Sequence, residues 1–326
     1  MSRFFLIFKR FLHALKMWYP LRKEFNGNVA FWMCYAYVLP SQKHSRYIEA
    51  IQRFFENDLS FLTQKYREIE DSMELSQDEE ITIWICWLTG FKTMPEIVRI
   101  CYDSVLKSVP SEKVVVKLIT EQNYSDYVSV PSYIIEKYSQ HIISPAHFSD
   151  ILRFCLLSQY GGMWLDATVY VSDTISDSYL NVRYYTQKTK DRSRYPYEPS
   201  HAQWCGFIWA GCKGNLLFSF VRDGLFEYWK KYNTIIDYIF FDYIILTAYN
   251  GVPSIQRMME LQEPNNEHIW SLWDNMNRGF DNKTFSEICE KNVFHKLSYK
   301  RKLNERTIDG KITFYGYLKA KMNSDY

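Results

Sequence analysis

Residues 147–171 read HFSDILRFCLLSQYGGMWLDATVYV. The run divides into a helical pattern over 148–159, a Gly161-Gly162 break and a short apolar strand, 163–165, that ends on Asp166. On the helix Ile151, Leu152, Cys155 and Leu156 form an apolar stripe, while Asp150 and Arg153, three residues apart, share a face. The two glycines permit backbone geometry and a close approach that a side chain would block. A carboxylate at the C-terminal end of a buried strand faces the edge of an open α/β sheet where ligands bind. An acid and a base at i,i+3 are equally an ordinary surface ion pair, which contributes little by itself. Their company in one run, a double glycine and a second acid, is what points to a site.

Outward from this run, strands and helices alternate. Residues 81–88 form a continuous β-branched and Trp-containing apolar run, the style of a central strand buried on both faces. Thr89-Gly90 ends it, and 94–109 read as a helix entered through Pro95. Residues 113–120 form a second, valine-rich strand, followed by helical turns at 121–127 and 131–138. Strand, helix, strand, helix, strand is the grammar of a parallel sheet wound with right-handed crossovers. Beyond Val171 the pattern predicts strands at 182–187 and 206–210, helices at 215–232, 235–249, 253–261 and 284–290, and a late strand at 311–315. The polar, Pro-containing segment 189–201 suits a lid or acceptor loop, with His201 and Trp204 beside it. Residues 25–38 read as a buried helix or loop, and 41–76 carry Ile48, Ile51, Phe54, Phe55, Leu59 and Leu62 at helical spacing. The expected division is a helical appendage at 1–77, joined through the acidic stretch 77–80, a main α/β domain at 78–300 and a C-terminal extension at 301–326.

With 47% hydrophobic and 23% charged residues the chain has the composition of a folded, soluble protein. A formal charge of +2 gives no whole-molecule field for nucleic acid, and no such partner is expected. Seven cysteines form no C-x-x-C pair and mostly lie in apolar runs, as reduced buried thiols of a cytosolic protein do. No apolar run is long enough to span a membrane. In the opening MSRFFLIFKRFLHALKMWYPLRK, Phe4, Phe8, Phe11, Leu12 and Leu15 fall at helical spacing with Arg3, Lys9, Arg10 and Lys16 beside them. Such a basic amphipathic helix suits peripheral insertion at an anionic membrane surface; the other reading is a helix packed on its own domain.

Ser149-Asp150-Ile151-Leu152-Arg153 followed by Tyr160-Gly161-Gly162-Met163-Trp164-Leu165-Asp166 resembles the signature of sugar-nucleotide-dependent glycosyltransferases with a D-x-D motif. The nearer likeness is to the capsular polysaccharide synthesis family, whose motif is written D-A-T, as Asp166-Ala167-Thr168 is here. Similarity extends from Ile83-Trp84-Ile85-Cys86-Trp87 to Phe294-His295-Lys296-Leu297-Ser298. The resemblance implies a GT-A-like α/β fold, with a mixed, mainly parallel sheet flanked by helices. It also implies transfer of a sugar from a nucleoside diphosphate sugar donor to a lipid-linked oligosaccharide or polysaccharide acceptor, a bacterial capsular or surface repeat unit. Retention of configuration, and work at the inner face of the cytoplasmic membrane, would go with it. The alternative is a non-catalytic carbohydrate-binding or assembly protein of the same pathway, with chemistry lost through Thr168. A phosphotransferase reading lacks a P-loop signature.

By the same resemblance, Asp166 meets the nucleotide ribose and metal shell, and Asp150 and Arg153 hydrogen-bond the donor sugar. The second motif position, an acid in the D-x-D relatives, is Thr168. A threonine hydroxyl is a weaker ligand than a carboxylate, so manganese or magnesium needs help, for which the resemblance offers His295. It also implies that Lys296, with Lys300 a poorer candidate, contacts the diphosphate. From the residues themselves, Asp242 lies in the otherwise apolar run 239–244, where an unpaired buried charge would cost several kcal/mol by rough estimate. It is either a site residue near the acceptor or a core acid bonded to a helix terminus. Trp84, Trp87 and Thr89, ending the first strand, are expected beside the nucleotide base, or as simple core residues. His147, Tyr238 and Tyr243 read as structural. Thus Asp150, Arg153, Asp166 and Asp242 are the catalytic candidates, and Asp166, Thr168 and His295 the metal candidates.

Overall fold

The computed structural model describes residues 3–39, 45–69, 80–190 and 198–324. Residues 77–79 of the acidic junction and 191–197 of the 189–201 segment lie outside the described residues. Four helices come first: α1 (Arg3–Glu24), α2 (Gly27–Val38), α3 (Ser45–Asp58) and α4 (Ser60–Arg67). The sheet begins with β1 (Ile81–Cys86), buried from Thr82 onward as its continuous apolar run requires. Helix α5 (Glu96–Lys107) leads to β2 (Val114–Ile119), and α6 (Ser132–Ser139) and α7 (Pro145–Tyr160) lead to β3 (Gly162–Leu165). β2 and β3 both pair with β1 in parallel, on opposite sides.

Beyond β3 the chain forms β4 (Val169–Val171), α8 (Asp177–Leu180), β5 (Tyr184–Thr186) and β6 (Ile208–Gly211). β6 pairs with β3 and β5 with β6, both antiparallel, giving the order β2-β1-β3-β6-β5. The sheet is therefore mixed: β2, β1, β3 and β5 run the same way and β6 runs against them, which makes both of its pairings antiparallel. The remaining elements are α9 (Leu216–Lys231), α10 (Phe240–Gly251), α11 (Pro253–Glu260), α12 (Ser271–Asn275), α13 (Asn282–Lys291), β7 (Phe294–Lys296) and α14 (Phe314–Ser324). β7 returns to pair antiparallel with β4, in the register Val169↔Lys296 and Tyr170↔His295.

Strand alternation divides the interior into two cores. On one face Trp84, Trp164 and Trp209 stand side by side across β1, β3 and β6, beneath α7, α9 and α10. On the other face Ile83, Ile85, Met163, Leu165 and Ile208 pack with residues of α5, β4 and β7. Phe55 of α3 stacks on Tyr243 of α10 at 6.0 Å, and Leu59 and Leu62 join the same core. Phe314 and Leu318 of α14 likewise belong to the second core, and the Tyr315 hydroxyl bonds Glu96.

Several local expectations shift. Ser144 caps α7 by accepting from His147 N at 3.3 Å, and Pro145 sits in the first turn, so the helix begins before Phe148. The segment before α10 stays irregular to Ile239, held in part by Ile236 N donating to the Tyr228 hydroxyl at 3.0 Å. α2 buries Val29 and Ala30 while Phe31 and Tyr37 stand exposed, so it is less buried than its apolar sequence suggests. In place of a strand at 311–315 there are single bridges at Thr313 and Ile312, then α14. No disulfide forms among the described residues.

The paired glycines do what their sequence promised. Gly161 and Gly162 have φ of 69° and 83°, and a Cβ on Gly162 would lie 2.2 Å from the Thr82 carbonyl oxygen. That gap lets β3 lie against β1 directly after α7 ends.

Candidate active site

Side by side, β1 and β3 end on one crevice, β1 running into Trp87-Leu88-Thr89 and β3 into Asp166-Ala167-Thr168. The crevice is a cavity of about 480 Å³, within the range of small-molecule sites. Arg153, on α7, is the pivot of its wall. Its Nη2 donates to Asp166 Oδ1 at 3.0 Å, and its Nη1 forms an ion pair with Asp150 Oδ1 at 3.0 Å. The guanidinium carbon lies 5.0 Å from the Trp164 ring centroid and 5.5 Å from that of Phe241.

The opposite wall is Lys296. β7 pairs with β4 immediately after the motif, and this places Lys296 Nζ 2.9 Å from Asp166 Oδ2 and 2.8 Å from Thr168 Oγ1. The ammonium also lies 4.7 Å from the centre of the Phe207 ring. Asp166 Oδ1 accepts a further bond from Trp164 Nε1 at 3.0 Å. Burial alone would raise the Asp166 carboxyl, but Lys296 and Arg153 outweigh it and hold the group at about 2. For Asp150 the balance goes the other way, and burial raises it despite Arg153 and His147.

Residues 36–318 match the family model described as capsular polysaccharide synthesis protein. The chain belongs to this family. No curated protein matches the sequence. The matched region contains the whole cavity wall and also α3 and α4, in agreement with their place in the common core.

Of the site residues read from the sequence, the fold brings Asp150, Arg153, Asp166, Thr168 and Lys296 together, with Trp87 and Thr89 at the rim. Three others lie elsewhere. Trp84 is buried in the tryptophan row and donates to the Gly161 carbonyl at 3.0 Å, so it is a core residue. Asp242, in the first turn of α10, accepts from Trp204 Nε1 at 2.8 Å and is absent from the cavity lining. Burial raises its carboxyl well above the usual range. His295 is wholly buried with Nε2 3.0 Å from Ser172 Oγ, because neighbouring side chains on β7 alternate and Lys296 takes the cavity side.

This donor set does not fit a divalent ion held between Asp166 and Thr168. Both Asp166 oxygens and the Thr168 hydroxyl are engaged by cationic or indole donors, and His295 faces the other core. Among the described residues no group of three or more His, Cys, Asp or Glu is arranged to hold a metal.

Sequence reading passed over Phe207 and Tyr299, which with Tyr238 add aromatic surface to the cavity. Tyr238, read as packing, is 62% exposed. Tyr299 meets Trp87 edge to face at 5.5 Å. Its closeness to the site follows from the β4–β7 pairing, which no local pattern discloses.

Proposed function

We propose that this member of the capsular polysaccharide synthesis family is a glycosyltransferase. It moves a sugar, with retention of configuration, from a nucleoside diphosphate sugar to a hydroxyl of a lipid-linked oligosaccharide or polysaccharide acceptor. The observation that carries this reading is Arg153 fixed between Asp150 and Asp166 where two parallel strands end on the cavity. A donor of this kind carries a polyol and a diphosphate. Asp150 and Asp166 would accept from its hydroxyls, and Arg153 and Lys296 would receive the charge that builds on the departing diphosphate. Aromatic side chains such as Phe207, Tyr238 and Tyr299 would lie against the base or the acceptor sugar. The test is release of nucleoside diphosphate from a panel of nucleotide sugars, with Asp166→Asn as the inactive control. Binding without release by the unaltered protein would favour a carbohydrate-binding role instead.

The acceptor's lipid places the reaction at the inner face of the cytoplasmic membrane, and α1 suits that position. Phe5, Phe8, Leu12, Leu15 and Tyr19, spaced three and four residues apart, are all exposed, as are Lys9 and Lys16. No helix among the described residues is long and apolar enough to cross a membrane. Flotation with vesicles containing phosphatidylglycerol checks this: Phe8→Glu with Leu15→Glu should abolish it, and undiminished flotation would reject the idea.

A further inference from the structure

We propose that the Lys296 ammonium takes the place of a divalent cation at the donor diphosphate, so that binding and transfer are independent of metal. The inference rests on the glycosyltransferase reading above and deepens it. Lys296 is supplied by β7, and its Nζ bonds both the first acid of the motif, Asp166, at 2.9 Å and the third position, Thr168, at 2.8 Å. An ion shared by those two positions would have to displace it.

Three properties of the surroundings favour the ammonium. An ammonium has three donors, and the two bonds to Asp166 and Thr168 leave one for a phosphate oxygen. The Lys296 side chain is 14% exposed and lines the cavity, so that donor has somewhere to reach. Charge is already matched: Asp150 and Asp166 face Arg153 and Lys296, two of each sign, and no surplus carboxylate remains to attract a dication. Manganese or magnesium seeks several oxygen ligands, preferably anionic ones, and threonine at position 168 supplies only a neutral hydroxyl where an acid would have favoured the metal.

The experiment measures UDP, GDP, CDP and dTDP binding to the full chain by calorimetry, in EDTA and in manganese, with manganese alone as a further titrant. At least one nucleotide should bind in EDTA, with an affinity within about twofold of that in manganese, and manganese alone should give no binding heat. Lys296→Met should weaken that nucleotide at least tenfold, whereas Lys296→Arg should retain most of the affinity. Thermal melts confirm that the variants fold. Nucleotide binding that appears only with manganese, or that survives Lys296→Met unchanged, would overturn the inference and leave the glycosyltransferase reading standing. Failure of all four nucleotides under both conditions would overturn the glycosyltransferase reading itself, and this inference with it.

Discussion

His295 and Lys296 are neighbours on β7 that serve opposite sides of it: Lys296 bonds Asp166 at 2.9 Å in the cavity wall, while His295 meets Ser172 at 3.0 Å inside the second core. Burial lowers the imidazole to about 4, against the usual 6.5. The unfolded chain takes up a proton below about 6.5 and the folded chain does not until about 4, so stability is lost as pH falls through that interval. The loss reaches about 3 kcal/mol at the lower end. Urea titrations of His295→Asn should therefore show a shallower fall between pH 6.5 and 4.5 than the unaltered chain. Nucleotide affinity at pH 7.5 should stay within about twofold. A folded variant that binds no nucleotide would bring back a role for His295 in the site.

Arg153 is 4% exposed and stands between two carboxylates on different elements. Arg153→Ala would leave Asp150 and Asp166 with one cation between them, and a broken buried pair costs about 3 kcal/mol or more. Arg153→Lys keeps the charge but loses the planar fork that reaches both acids. Thermal melts should show the lysine variant recovering most of the stability, while nucleotide-sugar turnover stays at least about 100-fold down. Turnover equal to the unaltered protein would mean that Arg153 is structural alone.

The helix, diglycine and strand around Asp166 were legible because their signals are local: period, paired glycines, and an acid after an apolar run. The other half of the site carries no local signal. Lys296, given only by the family resemblance, reaches Asp166 across 130 residues of sequence, and Phe207, which was not foreseen, arrives through the pairing of β6 with β3. A three-residue strand such as β7 has too few positions for its alternation to be read, which is why His295 and Lys296 could both be assigned to the cavity. Direction was equally hidden. The apolar runs at β5 and β6 announce strands, but nothing in them says that they run antiparallel to their neighbours.

Asp242 should disclose itself at neutral pH, above the ordinary carboxylate range, rather than below it. Burial raises its carboxyl well above the usual range, despite the bond from Trp204 at 2.8 Å. As pH rises past the ordinary carboxylate value the unfolded chain ionises and the folded Asp242 does not, so stability falls with rising pH. Asp242→Asn keeps an acceptor for the indole N–H and removes the titration. Denaturant midpoints should put this variant at or above the unaltered protein at pH 7.5, with the difference gone at pH 4. A large loss at pH 7.5 would show that the carboxylate is ionised and paired.

Gly162 can be separated from glycines that matter for φ alone. Gly162 and Gly214 have similar positive φ, 83° and 76°, but a Cβ on Gly162 meets the Thr82 carbonyl oxygen at 2.2 Å, whereas one on Gly214 meets nothing within 4 Å. Gly214→Ala should therefore cost only the left-handed backbone penalty, about 1 kcal/mol. Gly162→Ala must in addition push β3 away from β1, because the clashing atom is backbone and cannot rotate aside, and a total of about 3 kcal/mol is expected. Since β3 carries Asp166 to the cavity, the same displacement should weaken nucleotide binding in Gly162→Ala and leave it intact in Gly214→Ala. Equal losses in the two variants, read from urea midpoints at one pH, would mean that the strands have room to separate and that the diglycine serves the turn alone.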